Sequence, residues 1–230
     1  MPVITFLSTK GGVGKTTAAM LLATELAEKT NVTVIDIDPN RPFSKWAKQD
    51  KTRLKLTIID DADQDNIDQK IAEASERSAF VIIDCEGVAS MLNSYAAGDS
   101  DLVIIPTQGS HLDATEAAKS IRMVRKLSRT VPFGILFTRT SPAVRTRTLA
   151  AIQEQFHEQG VPTFATHLHE RDAFRAVFSF GKSLAELDAS EVPNTAKSLN
   201  NAREMAVEII EVIRRIGQGE EPFKIPETRA

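Results

Sequence analysis

Ten residues near the start of the chain, Ser8-Thr9-Lys10-Gly11-Gly12-Val13-Gly14-Lys15-Thr16-Thr17, have the types and spacing to hold a phosphate chain. The glycines let backbone N–H groups approach anionic oxygens. Lys15 can reach β- and γ-phosphates, and the Thr16 hydroxyl can sit on Mg²⁺. A phosphate held there also meets the positive end of the helix that follows. A second run, Phe80-Val81-Ile82-Ile83-Asp84-Cys85-Glu86-Gly87, delivers a carboxylate at the end of an apolar strand. Asp84 in that place would hold Mg²⁺ through water. Gly87 can let its backbone N–H swing onto a γ-phosphate and release it after hydrolysis. A third run is Asp36-Ile37-Asp38-Pro39-Asn40. Its carboxylates lie where ligands bind in open α/β sheets. For Asp36 two readings stand: an outer partner of Mg²⁺, or a cap on the strand–loop turn.

The elements that must position these groups follow from the apolar pattern. Residues 3–7, 32–37, 54–59, 80–84, 102–106, 133–138 and 162–166 read as strands. Helical periodicity runs over about 16–29, 67–77 and 113–129, and again up to about 158. Leu199, Ala202, Ala206, Ile209, Ile213 and Ile216 form a last stripe that should pack on the sheet. Strands alternating with helices predict an α/β fold, a mostly parallel twisted sheet with helices on both faces. Residues 1–216 are expected to form one domain and 217–230, rich in Gly, Pro and charge, a flexible tail. Trp46 is expected in the core. The loop Asp60-Asp61-Ala62-Asp63-Gln64-Asp65 lacks the glycine and terminal glutamate of a calcium loop and reads as helix-capping. His167, His169 and Glu170 lack a further convergent metal ligand.

Composition narrows the classes. The 230 residues are 42% hydrophobic, enough for one large core. The lone cysteine, Cys85, excludes a disulfide framework, a metal–cysteine cluster and an iron–sulfur centre, and reads as a small apolar filler. No basic, apolar leader precedes the first strand and no apolar run reaches membrane-spanning length, so a cytoplasmic location is expected. The net charge of −3 argues against a constitutively basic nucleic-acid binder. Yet residues 119–182 hold eleven Lys/Arg against four Asp/Glu. Such asymmetry can put a basic face on an acidic protein, or be ordinary solvated surface. Lys119, Arg122, Lys126 and Arg129 share one side of a helix and face the same two readings.

The phosphate loop has Thr9 where such loops usually carry glycine, followed by Lys10. Here the sequence resembles the deviant-Walker P-loop ATPases of the ParA/MinD family, whose motif is KGGxGKT. The resemblance covers essentially the whole chain. It implies ATP and Mg²⁺ as ligands and a nucleotide-sandwich homodimer in which Lys10 reaches the other subunit's nucleotide. It implies phosphate and nucleotide contacts from Lys10, Gly11, Gly12, Val13, Gly14, Lys15, Thr16, Thr17, Asp84 and Gly87. Asp38 matches the DxDP aspartate that positions or polarises the attacking water and senses the γ-phosphate. Lys10, Lys15 and Asp38 would then be the catalytic residues, with Thr16, Asp38 and Asp84 around the metal. Thr138 and Arg139 stand where the family places adenine contacts. Arg171 and Asp172 match its Pro-Arg-Asn segment, with Asp172 in place of asparagine, and Gly181-Lys182 a later Gly-Lys pair. Family members usually have glutamine where Asn40 stands.

The function implied is that of a small ParA-type segregation ATPase. ATP would close the dimer and the dimer would bind DNA without sequence preference. A centromere-binding partner would stimulate hydrolysis, and the protein would associate with the nucleoid. Arg145, Arg147, Arg171, Arg175 and Lys182 are the candidate DNA contacts. Asn40-Arg41-Pro42 with Trp46, and His169-Glu170-Arg171-Asp172-Ala173-Phe174, also resemble VirC-type ATPases of conjugal DNA transfer, whose partner would be a relaxosome protein. A MinD-like positioning role would need a terminal basic amphipathic helix that the tail does not show, so no membrane partner is expected. A small-molecule ligase on the same fold would need a substrate pocket.

Overall fold

The computed structural model describes residues 1–49, 51–127, 130–144 and 146–223. Its strands are β1 (Val3–Phe6), β2 (Val32–Asp36), β3 (Leu56–Ile59), β4 (Phe80–Asp84), β5 (Leu102–Thr107), β6 (Phe133–Thr140) and β7 (Leu168–His169). They form a seven-stranded sheet in the order β3-β2-β4-β1-β5-β6-β7, and every pairing is parallel. The helices are α1 (Lys15–Ala27), α2 (Pro42–Ala47), α3 (Ile67–Arg77), α4 (Met91–Gly98), α5 (His111–Leu127), α6 (Arg147–Glu158), α7 (Asp172–Phe180) and α8 (Thr195–Gly217). This is the α/β architecture read from the sequence.

Strand side chains alternate between two cores, one on each face of the sheet. Ile4, Phe6, Val34 and Ile104 join α1, α7 and α8 on one face. Val3, Ile35, Val103 and Ile105 join α3, α4, α5 and α6 on the other. Helix α1 is buried on nearly every side, from Ala18 through Ala23. Its pattern lacks a polar face because α8 covers the side turned away from the sheet. Trp46, only 2% exposed, joins the same core, and its indole N–H donates to the Lys182 carbonyl at 3.4 Å.

Several local expectations change. Residues 162–166 do not form a strand; one isolated bridge, Ile135 to Thr163, remains. The amides of Ala165 and Thr166 donate instead to the Glu208 carboxylate, at 2.7 and 2.8 Å, which removes them from any ladder. The last strand is β7, a few residues later. Helix α4 was not anticipated; Ser90 caps it by accepting the Asn93 amide at 3.1 Å. The expected tail begins with packed structure, because Phe223 is buried edge-on against Phe164. A side chain at Gly134 would meet the Phe223 ring at 2.4 Å, so glycine makes room for this contact. Residues 224–230 lie outside the described residues. In the acidic loop, Asp63 accepts the amides of Asp65 and Asn66 as the chain enters α3.

Candidate nucleotide-binding site

All three sequence runs meet at the carboxyl edge of the sheet. Neighbouring strands β1, β4 and β2 bring the loop after Phe6, then Asp84, then Asp36 side by side, and Asp36 lies in register with Asp84. This is where parallel α/β sheets bind ligands, at strand ends where the chain order reverses. The loop from Ser8 to Gly14 turns on two glycines with positive φ, Gly12 at 76° and Gly14 at 95°. Gly14 caps α1, and the α1 N-terminus therefore faces the loop. The Thr138 hydroxyl donates to the Val13 carbonyl at 2.6 Å, and Gln108 donates to the Gly12 carbonyl at 3.0 Å. The ends of β5 and β6 thus brace the loop.

Lys15 is 5% exposed, and its ammonium donates to the Lys10 carbonyl at 3.4 Å. The side chain curls back under the loop, as a lysine must to reach a phosphate cradled there. Lys10 points elsewhere: its ammonium lies 2.7 Å from the buried Asp113 carboxylate. Thr9, in the position usual for glycine, is tied to α5. Its amide donates to the Ser120 hydroxyl at 3.1 Å and its hydroxyl to the Glu116 carbonyl at 3.3 Å.

Asp84 is fully buried, and neither carboxylate oxygen has a hydrogen-bond partner. Burial pushes its pKa up to about 8. The Thr16 hydroxyl and the Lys15 charge act in the opposite direction without overcoming it, and Asp36 adds to the rise. A buried, unpartnered carboxyl beside Thr16 fits a magnesium ion held between them, because the ion would restore the ionised form. Asp36 resolves toward its capping role. Its Oδ2 accepts the amides of Phe43 at 2.9 Å and Ser44 at 3.4 Å, the opening turn of α2, while Oδ1 is buried without a partner. Burial raises its pKa to about 6 against those hydrogen bonds. Asp38 is half-buried, and its Oδ1 accepts the Asn40 amide at 2.8 Å in an Asx turn.

Gly87 lies directly on the phosphate loop. A Cβ there would stand 2.7 Å from the Gly11 Cα and 3.3 Å from the Lys15 ammonium. The close approach needs glycine. Cys85 is buried, and desolvation holds its thiol well above the ordinary range, so it is inert filler.

Thr138 and Arg139 reach a small cavity of about 40 Å³ that also borders Gly14, Thr17, Arg171 and Phe174. It lies beside the phosphate loop at Gly14. Arg139 has φ 51°, and the Arg171 Nε is buried without a partner. His169 borders the same space, its Nδ1 2.9 Å from the Thr140 hydroxyl. Burial first, then the Arg171 charge, hold its pKa below the ordinary value. A larger cavity, about 540 Å³, lies between α6 and α8. The phosphate loop does not border it, and two of its charged groups, Glu211 and Arg215, pair with each other.

The candidate DNA contacts do not form one group. Arg171 and Arg175 border the small cavity beside the loop. Arg175 is paired with Glu170 at 2.5 Å and Asp172 at 3.0 Å. Lys182 is half-buried and Arg147 exposed; Arg145 lies outside the described residues. On α5, Lys119 pairs with Glu116 at 2.8 Å and Arg125 sits 5.4 Å over the Phe133 ring. Arg122 and Lys126 are exposed; Arg129 lies outside the described residues. Sequence reasoning missed Asp113, Ser110 and Gln108. The Ser110-x-x-Asp113 spacing ahead of α5 is a helix-capping signal that pointed to the first two.

Comparison with known proteins matches this chain to a family. The VirC1 protein family model matches residues 1–218. A "Protein ParA" of Rhizobium radiobacter is 36% identical over 214 residues, 91% of this chain and 96% of the relative. A "Protein virC1" of the same organism is 30% identical over 226 residues, 94% and 97% of the two chains. Among solved structures, a plasmid partition protein from Borrelia burgdorferi bound to AMPPNP superposes with a TM-score of 0.69 at 19% identity, covering 90% of this chain and 99% of the other. With the family model spanning nearly all of it and ParA and VirC1 proteins as relatives, the chain belongs to the VirC1 family and is related in sequence to ParA.

Proposed function

We propose that this chain is a magnesium-dependent ATPase that dimerises around ATP, binds DNA without sequence preference in that state, and releases it after partner-stimulated hydrolysis. The observation that carries the reading is the pair of lysines on one phosphate loop. Lys15 curls beneath the loop while the Lys10 ammonium turns away from it to the Asp113 carboxylate on α5. Lys15 would serve the chain's own phosphates; Lys10, not engaged with the loop, is left for charge that arrives from outside once it leaves Asp113. Exposed apolar side chains on the same edge, Val88, Met91, Tyr95 and Leu112, support a second copy as the arriving surface.

In this mechanism the loop amides and the α1 N-terminus bind the phosphates, and Lys15 neutralises the β- and γ-oxygens. Asp84 and Thr16 would hold Mg²⁺, which supplies charge neutralisation of the phosphates. Asp38, at the mouth, orients the attacking water, and Lys10 of the second copy stabilises charge on the transferring phosphoryl group. Gly87, packed on the loop, links phosphate loss to movement of the segment after β4. Thr138, Arg139 and Arg171 border the space for the base.

The test is DNA binding by the whole chain with ATP, ADP or no nucleotide, read by gel shift. Binding with ATP alone supports the cycle, and Lys15→Ala should abolish it; equal binding in all three states overturns it. A second reading is favoured by the VirC1 family match: an accessory ATPase of conjugal DNA transfer, with the same ATP cycle but a relaxosome partner. Stimulation of turnover by a relaxase complex, rather than by a centromere-binding protein, would select it. Among the described residues no helix is long and apolar enough to cross a membrane. Co-sedimentation with liposomes in ATP would instead favour a MinD-like role.

A further inference from the structure

Lys10 is not free to reach outward as it stands. Its ammonium lies 2.7 Å from Asp113 Oδ1, and Asp113 is 5% exposed. The Ser110 hydroxyl donates to the other carboxylate oxygen, and the Asp113 amide donates back to Ser110. Burial alone would raise the Asp113 pKa, but the Lys10 and Ser110 hydrogen bonds outweigh it and hold the group below the usual range. The carboxylate is therefore ionised, and Lys10 is its one ion-pair partner among the described residues. Thr9 is meanwhile fixed to Ser120 and Glu116 of the same helix, so the backbone leading into Lys10 is anchored. Lys10 can leave Asp113 by rotating its own side chain while Thr9 stays in place.

We propose that Asp113 is a positioning residue that docks Lys10 on its own subunit until the phosphates of a second copy's nucleotide compete for the ammonium. This rests on the reading of Lys10 as a residue acting across a dimer. Removing Lys10 strands a buried carboxylate, which is costly. The competing site must therefore offer more negative charge than Asp113 does. A triphosphate meets that threshold better than a diphosphate, so the dock makes dimerisation selective for ATP over ADP. Asp113 touches no nucleotide in this scheme; it acts through Lys10.

The test uses light scattering of the full chain with Mg²⁺ and ATP, ADP or neither. Asp113→Asn keeps the shape and the Ser110 contact but loses the charge. It should lower the ATP concentration at half-maximal dimerisation by tenfold or more, because no buried charge is left behind when Lys10 departs. It should also give measurable dimer with ADP, where the wild type should give none. Ser110→Ala, which removes the hydrogen bond that would support the Asp113 carboxylate once Lys10 leaves, should make the dock harder to release and raise the ATP concentration needed for dimerisation. Adding Lys10→Ala to Asp113→Asn should erase the gain. The dock is overturned if Asp113→Asn dimerises no better than wild type, or if the gain survives loss of Lys10. Should Asp113→Asn melt too low to assay, Ser110→Ala decides, and no rise overturns the dock. If wild type, Asp113→Asn and Ser110→Ala all fail to dimerise with ATP, the dimer reading itself falls and the dock falls with it.

Discussion

Asp84 carries both carboxylate oxygens into the core with no hydrogen-bond partner, and its pKa rises to about 8. In the unfolded chain it would release its proton near the ordinary value of about 3.9. Between those limits the folded state binds the extra proton, so stability falls as pH rises, by at most about 1.4 kcal/mol per unit. Asp36, raised to about 6, adds the same trend at lower pH, while His169 opposes it below its ordinary range. From pH 6.5 to 8, therefore, Asp84 dominates. The melting temperature of the nucleotide-free protein should fall across that window, and Asp84→Asn should flatten the fall. An unchanged slope in the variant would separate the trend from Asp84. At this scale the sequence was legible where a residue type has one use in its context: Lys15 after the glycines, Asp84 after four apolar residues. Asp113 was not, because a carboxylate in the first turn of a helix ordinarily serves the helix dipole. Its partner is 103 residues away in the chain.

Two of the elements meet through close backbone contact. The segment after β4 rests on the phosphate loop at Gly87, where an added Cβ would meet the Gly11 backbone at 2.7 and 2.9 Å. Backbone atoms cannot step aside as a side-chain end can. Gly87→Ala should therefore push the two segments apart, at a cost of about 1–3 kcal/mol in stability. It should also weaken binding of a fluorescent ATP analogue, measured by titration, by tenfold or more. Binding within twofold of wild type would show that the contact is incidental. Helices with a strong period, such as α3, were legible nearly to the residue. Two elements were not. Helix α4 has small and polar residues between Leu92 and Ala97 that carry little period, and it is set by its Ser90 cap. Residues 162–166 have strand composition, yet Glu208 on α8 captures two of their amides, a contact from 42 residues downstream that no local pattern encodes.

At the scale of the whole molecule, the net charge has to be reconciled with the proposed DNA binding. The chain is acidic at −3, with its basic excess between residues 119 and 182. The structure sorts that excess by what already neutralises it. Arg175 is held by two carboxylates, Lys119 by Glu116, and Arg125 lies over an aromatic ring. Arg122 and Lys126 on α5 are exposed, with no ion pair among the described residues. The same helix carries Asp113, Glu116 and Ser120, which hold Lys10 and Thr9 of the phosphate loop. Helix α5 therefore joins the phosphate loop to two exposed cations without an ion pair among the described residues. Pairing two copies would bring two such helices to one DNA and double the number of phosphates contacted, so affinity would rise steeply with dimerisation. On this argument Arg122→Glu and Lys126→Glu should each weaken ATP-dependent DNA binding by tenfold or more. They should also make the plot of log affinity against log salt shallower, because each removes phosphate contacts that release counterions. Arg175→Glu should matter less than either, since Glu170 and Asp172 already occupy that guanidinium. Fluorescence anisotropy over a salt series reads all three. If Arg175→Glu flattens the salt slope and the α5 variants leave it unchanged, the DNA-binding face lies at α7, and α5 serves the phosphate loop alone.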